Sequence, residues 1–307
     1  MMIVMKSWFS GPRKYPLIIS AVIVALFAGG WWLLDGVHVP VLMPSGEIAN
    51  QQRDLFMLTV YLSAVVVIPV FVLLGWFAWQ YREDNPKAKY QPEWSENKWL
   101  EIVWWGIPIV IIVALSIITY ITSHSLDPYR PIESDKEAVS VQVVALQWKW
   151  LFIYPELGVA TVNELTIPVD RPVHFTLSAD APMSAFWIPA LGSQIYSMNA
   201  MSSQLNLIAN YENTYKGYNT NINGEGYSKM VFDVHAVSED KFEKWHTSHA
   251  ASGHVLDQHH LAELTEPSIV SAPMYMRLDD DNLYNTIIMK YMGHGSEGGY
   301  ESSGGHH

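Results

Sequence analysis

Three apolar runs dominate the first part of the chain. They cover residues 17–34, 55–81 and 99–122, and each is about as long as a helix must be to cross the apolar core of a membrane. Pro69 and Pro108 lie inside the second and third runs, and membrane helices tolerate proline better than soluble helices do. The pattern therefore predicts membrane helices at about 55–81 and 99–122.

The first run allows two interpretations. Its basic flank and its length suit a retained membrane helix, and they also suit a secretory signal. Leu33–Val37 has the outline of a lipoprotein cleavage box, but Val37 stands where the lipidated cysteine would be. We favour a retained helix within residues 1–36. The fold then begins with three membrane helices, or with only the hairpin of residues 37–132 if the first helix is cleaved.

Lysine and arginine predict the topology, because these residues concentrate in cytoplasmic loops. They cluster in the flank before the first run and in the loop at 82–98. Three alternating helices place both regions in the cytoplasm and everything after Thr122 outside. We therefore predict a multi-pass protein of a bacterial inner membrane with its C-terminal domain in the periplasm.

From Val139 onward the residue pattern changes from one typical of helices to one typical of strands. Short runs rich in β-branched and aromatic residues recur, separated by Pro, Gly and Asn, which is typical of an all-β sandwich or barrel. We assign residues 133–237 to this domain, residues 238–292 to a helical extension, and residues 293–307 to a disordered Gly/His-rich tail. The clearest strand-like runs are Val159–Val169, Pro172–Ser178, Gln204–Ile208 and Met230–Val237.

Composition excludes several classes of protein. The net charge of −12 argues against a nucleic-acid partner, since phosphate binding needs a basic surface. The sequence has no cysteine, which excludes disulfides, thiolate copper sites and iron–sulfur clusters. No nucleotide-binding or hydrolase motif occurs.

Glu101 interrupts the apolar pattern at the cytoplasmic end of the third run. One interpretation is structural, because a carboxylate at a helix N-terminus is stabilised by the helix dipole. The other is functional, because an ionisable group at the mouth of a membrane helix can take up protons. The residues alone leave both interpretations open.

Histidines cluster in the C-terminal part of the chain. His246 and His249 are three residues apart and so share one helix face, which is a spacing compatible with metal binding. No neighbouring carboxylate or cysteine pattern completes a site, and we interpret these residues, with His254, His259 and His260, as surface histidines. His174 lies in a strand-like run, and we expect its ring to be hydrogen-bonded. The tail histidines are His294, His306 and His307.

Two longer segments carry a family resemblance. They are QWKWLFIYPELGVATVNELTIPVDRPV at 147–173 and FWIPALGSQIYSMNAM at 186–201. Together with the order of the apolar runs, they resemble subunit II of haem–copper terminal oxidases, in the quinol-oxidising, cytochrome bo-type branch. The resemblance implies a cupredoxin-like sandwich after the membrane helices, and it fades beyond about Ser238.

In the branch that oxidises cytochrome c, this domain holds a binuclear copper centre. Matching that branch's ligand pattern to this chain places non-ligating residues at five of the six ligand positions. Only the methionine is kept, and a lone thioether does not hold a copper pair. The resemblance thus implies a vacated copper site, with no metal ligand and no cofactor-binding residue in this chain. The positions are Ser184, Asn219, Asn221, Asn223, Tyr227 and Met230.

The resemblance also implies a function. The chain would be a non-catalytic subunit of a proton-pumping oxidase that oxidises ubiquinol and reduces O₂ to water. It would cap and brace the catalytic subunit I, which holds the haems and copper, and would assemble with subunits III and IV in membrane lipid. Glu101 matches a proton-uptake glutamate of the family, and cytochrome c is not expected as a partner.

The same resemblance leads to predictions for three aromatic residues. Trp148 matches a tryptophan on the electron path of the copper-bearing relatives. Without copper, we expect Trp148, Trp150 and Phe152 to pack the sandwich against the catalytic subunit. The alternative functions are a membrane-anchored, cupredoxin-like electron carrier and a periplasmic metal-binding module.

Overall fold

The computed structural model describes residues 25, 28–30, 32, 39–82, 85–86, 96–251, 253–270 and 272–292. Most of the first apolar run, the box at Leu33–Val37, most of the loop at 82–98 and the tail at 293–307 lie outside the described residues. The predictions for those segments stay predictions. Residues up to Met43 form one unit and residues from Pro44 onward form another.

Among the described residues, two long helices precede the β domain. Helix α1 spans Glu47–Gln80 and helix α2 spans Lys98–Ser125. Both are long and apolar enough to cross a membrane, and their apolar side chains are mostly exposed. Helix α1 begins at Glu47, well before the predicted residue 55, and its extra turns are polar.

The early start of α1 has a packing cause. The amide of Ser45 donates to Ala190 O over 2.8 Å, and that of Ala49 donates to Leu191 O over 3.2 Å. At Gly46 a Cβ would lie 2.6 Å from Ile208 O, so only glycine allows this approach. The first turns of α1 are thus held on the sandwich, which hydropathy alone does not reveal.

In the part of the chain that the structure describes, twelve strands form two sheets, so the predicted sandwich is confirmed. β1 pairs with β5, β4 with β10 and β11 with β12 in parallel, and the other pairs are antiparallel. The seven-stranded sheet has the order β11 (Val255–Leu256), β12 (Met274–Leu278), β3 (Val159–Val162), β2 (Lys149–Tyr154), β1 (Val139–Leu146), β5 (Val173–Ala179), β8 (Ser203–Leu207). The five-stranded sheet has the order β4 (Glu164–Pro168), β10 (Val231–Val237), β9 (Asn213–Asn219), β6 (Ser184–Trp187), β7 (Ile195–Ser197).

Strand β2 shows how the sandwich is filled. Its side chains alternate between the two faces of the sheet. Trp150 and Phe152 enter the core between the sheets, where their rings contact Phe186 and Phe232. Leu151 and Ile153, on the other face, join a second core built with the C-terminal extension. The prediction that Trp150 and Phe152 pack against a partner subunit is therefore wrong, because both are fully buried within this chain.

The extension is not purely helical, which corrects the prediction for residues 238–292. It contains helices α3 (Glu239–Ala250), α4 (Gln258–Thr265) and α5 (Leu283–Met292), and also strands β11 and β12. Strand β12 pairs with β3, so the sheet of the sandwich continues past residue 237. Both strands are short, and helix α4 lies between them. Strand β12 pairs with a strand more than a hundred residues earlier, and β11 pairs with β12, so the local sequence pattern does not reveal either strand.

Candidate functional site

The predicted copper-ligand positions meet at one end of the five-stranded sheet. Ser184 begins β6, Asn219 ends β9, and Met230 directly precedes β10. Because β9 is antiparallel to both β6 and β10, the end of β9 lies beside the starts of its two neighbours. The remaining positions, Asn221, Asn223 and Tyr227, lie in the connection between β9 and β10.

This connection is shorter than the sequence indicated. The polar, Gly/Asn-rich sequence from Lys216 to Lys229 is typical of a loop, but β9 continues through Asn219. Within it Tyr215, Gly217 and Asn219 are buried, and the intervening residues are exposed. Gly217 leaves room for the ring of Phe232, which a Cβ would overlap. A glycine in a polar run thus belongs to a strand, because close packing across the sheet requires it.

Asn219 ties β6 to the connection. Its Oδ1 accepts hydrogen bonds from the amides of Ala185, over 2.9 Å, and Asn221, over 3.0 Å. Its Nδ2 donates to Asn221 O over 3.0 Å. The side chain of Asn221 in turn donates to Met183 O over 2.7 Å. The neutral side-chain amide of Asn219 therefore links β6 to the connection.

Asn223 links the other side of the site. Its Nδ2 lies 2.9 Å from Ser184 Oγ and 3.9 Å from Met230 Sδ. The hydroxyl of Ser184 donates a hydrogen bond to Pro182 O over 3.2 Å. All three side chains at the centre of this group are buried. Among the described residues, Asn223 Oδ1 has no hydrogen-bond partner.

Tyr227 joins the group through its backbone. It begins a short 3-10 turn, Tyr227–Lys229, and its carbonyl accepts from the amide of Met230 over 3.1 Å. The structure thus brings all six predicted positions into one region. The side chains of Ser184, Asn223 and Met230 are in direct contact there, and Asn219 and Asn221 form an adjoining hydrogen-bonded pair.

Trp148 lies over the connection rather than in the core. It occupies the turn between β1 and β2 with φ of +65°, an unusual conformation for a bulky residue. A Cβ on Gly226 would overlap its indole ring, and its Nε1 donates to Asn223 O over 3.4 Å. Strain of this kind persists only when the surroundings hold it in place. The indole and the two glycines of the connection, Gly224 and Gly226, do so here.

The side chains in this site do not fit a copper pair. Such a centre needs thiolates and imidazoles, whereas the residues present offer amides, hydroxyls and one thioether. The side-chain amides of Asn219 and Asn221 bond to backbone groups, and that of Asn223 donates to Ser184. The arrangement can hold a loop in a fixed shape, and its donor set offers no redox group.

Glu101 lies apart from this region, in the first turn of α2. Asn97 caps the helix, because its side chain accepts from the amides of Trp99 and Leu100. The Glu101 amide continues the turn by donating to Asn97 O over 3.0 Å. Its side chain is exposed, so this chain presents the carboxylate outward at the helix end.

The clustered histidines lie in the C-terminal extension. His246 Nε2 lies 3.1 Å from Leu157 O, and the ring of His249 packs 4.2 Å from that of Tyr275. His174 Nδ1 lies 2.9 Å from Asn206 Oδ1, as expected for a hydrogen-bonded ring. The expectation that no carboxylate stands near the His259–His260 pair is wrong, because Glu263 lies beside both. Four residues separate His259 from Glu263, and that helical spacing could have revealed the contact.

Lys149 is a buried structural residue that the sequence pattern does not single out. Its Nζ donates to Leu264 O, Glu266 O and Ser268 Oγ over 2.6–2.9 Å. Burial lowers the pKa of this lysine, and the nearby Glu266 opposes that shift. The lysine between two tryptophans therefore anchors the end of α4 to the sandwich, because it satisfies carbonyls that the helix leaves open.

Comparison with known proteins gives a consistent picture. Residues 250–295 match the family described as COX Aromatic Rich Motif. The chain is 42% identical to cytochrome bo(3) ubiquinol oxidase subunit 2 of Pseudomonas aeruginosa over 87% of its length and 81% of that protein. It is 41% identical to ubiquinol oxidase subunit 2 of Acetobacter aceti, covering 84% of this chain and 85% of that one. It is 36% identical to quinol oxidase subunit 2 of Bacillus subtilis, covering 93% and 85%.

Proposed function

This chain belongs to the family of quinol oxidase subunit 2 proteins, and we propose that its oxidase takes electrons from ubiquinol and passes them to O₂. The chain is a membrane-anchored subunit of a multi-subunit respiratory oxidase. In our proposal the haems and copper belong to the catalytic subunit I, and this chain caps and braces that subunit. Subunits III and IV complete the assembly. The sandwich lies in the periplasm of a bacterial inner membrane.

The hydrogen bond between Asn223 and Ser184 is the observation that carries this proposal. It joins two positions at which a cytochrome c-oxidising relative would place copper ligands, and it uses neutral groups. An electron carrier in this sandwich would need a different donor set at the same place. Electrons therefore enter the oxidase from a quinol in the membrane, and the former metal loop keeps only a structural function.

The contacts between helix α1 and the sandwich support the proposal that this chain braces the catalytic subunit. The first turn of α1 is hydrogen-bonded to the loop after β6, at Ala190 and Leu191. Gln52, one turn further, donates to Ser193 in the same loop. A membrane helix that is fixed to the sandwich at its first turn holds the domain at a defined height. This is what a cap on the catalytic subunit requires.

The decisive experiment compares electron donors on the purified complex. O₂ consumption is measured with ubiquinol and, separately, with reduced soluble cytochrome c. Ubiquinol should support turnover, and cytochrome c should not. Comparable rates with cytochrome c would overturn the proposal, as would isolation of this chain without any haem-bearing subunit.

A second measurement addresses the vacated site directly. The copper content of the complex is compared between the wild type and an Asn223→Ala variant. Equal copper per complex is expected, because Asn223 is not a ligand. A loss of copper in the variant would contradict the assignment of the oxidase copper to the catalytic subunit I.

A further inference from the structure

Three ligand-bearing side chains lie together at the start of α4. His259, His260 and Glu263 each place one ligand atom within 4.8 Å of the others, and all three residues are exposed. His259 Nδ1 lies 3.8 Å from Glu263 Oε1, one helical turn away. Two imidazoles and a carboxylate form a ligand set that Zn²⁺ uses where one coordination position is left open. The electron path proposed above does not involve this group.

A fourth residue orients one of the imidazoles. Asp257 is the N-cap of α4, and its Oδ1 accepts from the amide of His260 over 2.8 Å. The same oxygen lies 2.9 Å from His260 Nδ1. An ionised carboxylate only accepts, so Nδ1 must carry the proton, and Nε2 keeps its lone pair. A carboxylate behind a histidine in this way is the usual outer-shell partner of a metal-binding imidazole.

The local charges favour a cation. Asp257 places one carboxylate against the ring of His260, over 2.9 Å. Glu263 adds a second carboxylate one turn further along α4. The buried Lys149 directs its Nζ to Leu264 O, Glu266 O and Ser268 Oγ at the C-terminal end of α4.

A cavity adjoins the cluster. His260 and Glu263 also line a space of about 750 Å³ between α4 and the strand β12. The rest of the lining includes His249, Met274 and Tyr275. An ion held by His260 and Glu263 would therefore have room on this side for water or for a small ligand.

We propose that His259, His260 and Glu263 bind one divalent transition-metal ion of the Zn²⁺ class, with Asp257 positioning His260. Imidazole and carboxylate together suit Zn²⁺ and Cu²⁺ better than Mg²⁺ or Ca²⁺, which prefer oxygen ligands throughout. The bound ion joins the first turn of α4 to its second. It thereby stabilises the N-terminal end of α4, and Lys149 holds the C-terminal end of the same helix.

The test uses the whole detergent-purified oxidase. The tail histidines are first replaced in all samples (His294→Gln, His306→Gln, His307→Gln), so that they do not contribute binding. Zn²⁺ binding is measured by titration calorimetry. Co²⁺ is added to separate samples, because its visible absorption reports whether the ion occupies a coordination site of low symmetry. The oxidase that keeps His259 and His260 should bind one more Zn²⁺ ion tightly, per complex, than a His259→Gln/His260→Gln variant. The dissociation constant of that tightly bound equivalent should rise by on the order of 100-fold or more in the variant.

Two further variants make the result specific. Asp257→Asn keeps a good N-cap but weakens the acceptor behind His260, so Zn²⁺ affinity should fall about 10-fold to 100-fold. His246→Gln/His249→Gln removes another pair of histidines from α3 and should leave the tight equivalent in place. Ubiquinol-driven O₂ uptake and the metal-free melting temperature serve as folding controls in every sample.

Two outcomes would overturn the proposal. One is an unchanged tight equivalent in the His259→Gln/His260→Gln variant. The other is loss of that equivalent only in the α3 variant. Because ubiquinol oxidation is measured in the same samples, failure of the metal site is distinguishable from failure of the oxidase assignment.

Discussion

The side-chain amide of Asn223 donates to Ser184 Oγ over 2.9 Å, and both residues are buried. The two residues are 39 positions apart in the chain and meet because β6, β9 and β10 are neighbours in one sheet. The bond closes the loop with neutral groups, so the loop needs no metal to keep its shape.

Replacing Asn223 tests this interpretation. Asn223→Ala removes a buried hydrogen bond and should destabilise the loop locally by about 1–2 kcal/mol. Asn223→Asp preserves the shape but buries a negative charge beside Met230, and it should destabilise the loop more. Hydrogen exchange of the amides at 220–230 in the assembled oxidase measures both effects. Ubiquinol oxidation should stay close to wild type in Asn223→Ala, and equal exchange in the two variants would contradict the argument.

Gly217 gives a second prediction, on packing between the sheets. A Cβ there would overlap the ring of Phe232, which is itself part of the aromatic core. Gly217→Ala should therefore force Phe232 to move and cost about 1–3 kcal/mol, as overpacked cores do. Gly253→Ala is the matched control, because a Cβ at Gly253 meets nothing within 4 Å. Melting temperatures of the two variants should differ clearly, and a Gly217→Ala melting temperature equal to that of the control would count against this packing.

Strand β2 shows how far the sequence could predict the fold. Its alternation of Trp150 and Phe152 with Leu151 and Ile153 correctly indicates a strand with two apolar faces. It does not say what covers each face. The prediction that a partner subunit covers the aromatic face is wrong for this reason. The structure covers it with Phe186 and Phe232 of this same chain, which lie far away in sequence. Period-2 pattern thus predicts the strand, whereas the identity of its neighbours depends on long-range pairing.

The site was predicted in part for the same reason. The family pattern selected Ser184, Asn219 and Asn223, and the sheet does bring them together. Neither the left-handed backbone of Trp148 nor the anchoring of α4 by Lys149 has a local signal, because both depend on segments about 75 and 115 positions away. The contact of His259 with Glu263 did have one, at a spacing of four residues.

The contact between α5 and the sandwich predicts a dependence on alkaline pH. Asp180 accepts from Lys290 Nζ over 2.8 and 2.9 Å, and from the Tyr291 hydroxyl. Burial and then the bond to Asp180 raise the pKa of Tyr291 from 10.0 to about 12. Between these pH values the unfolded chain has lost the phenolic proton while the folded chain keeps it. The stabilisation is therefore complete below pH 10 and disappears as pH rises through 12.

Tyr291→Phe removes this titration without removing the ring. The melting temperature of the wild-type oxidase should fall more steeply than that of the variant between pH 10 and 12. Circular dichroism on matched samples measures the two slopes. Parallel slopes would show that the Tyr291 proton does not contribute to holding α5.

Glu101 gives the last prediction, on proton uptake. Its carboxylate is exposed at the N-terminal turn of α2, at the side where our topology places the cytoplasm. If protons enter the oxidase there, Glu101→Gln should slow ubiquinol-driven O₂ reduction by about tenfold or more, because the amide does not carry a proton. The haem spectra should not change, since this chain supplies no haem ligand in our proposal. Glu101→Asp should restore part of the rate.

Glu96→Gln is the matched control, because Glu96 is an exposed carboxylate just before the same helix. It should leave turnover unchanged, which separates a specific role of Glu101 from a general effect of surface charge at this helix end. A purely structural Glu101 would behave differently from a proton-uptake group. Its replacement would lower the melting temperature or the yield of the complex, and turnover per haem would be unchanged. That second result would remove Glu101 from the mechanism and leave it as a residue that stabilises the helix dipole.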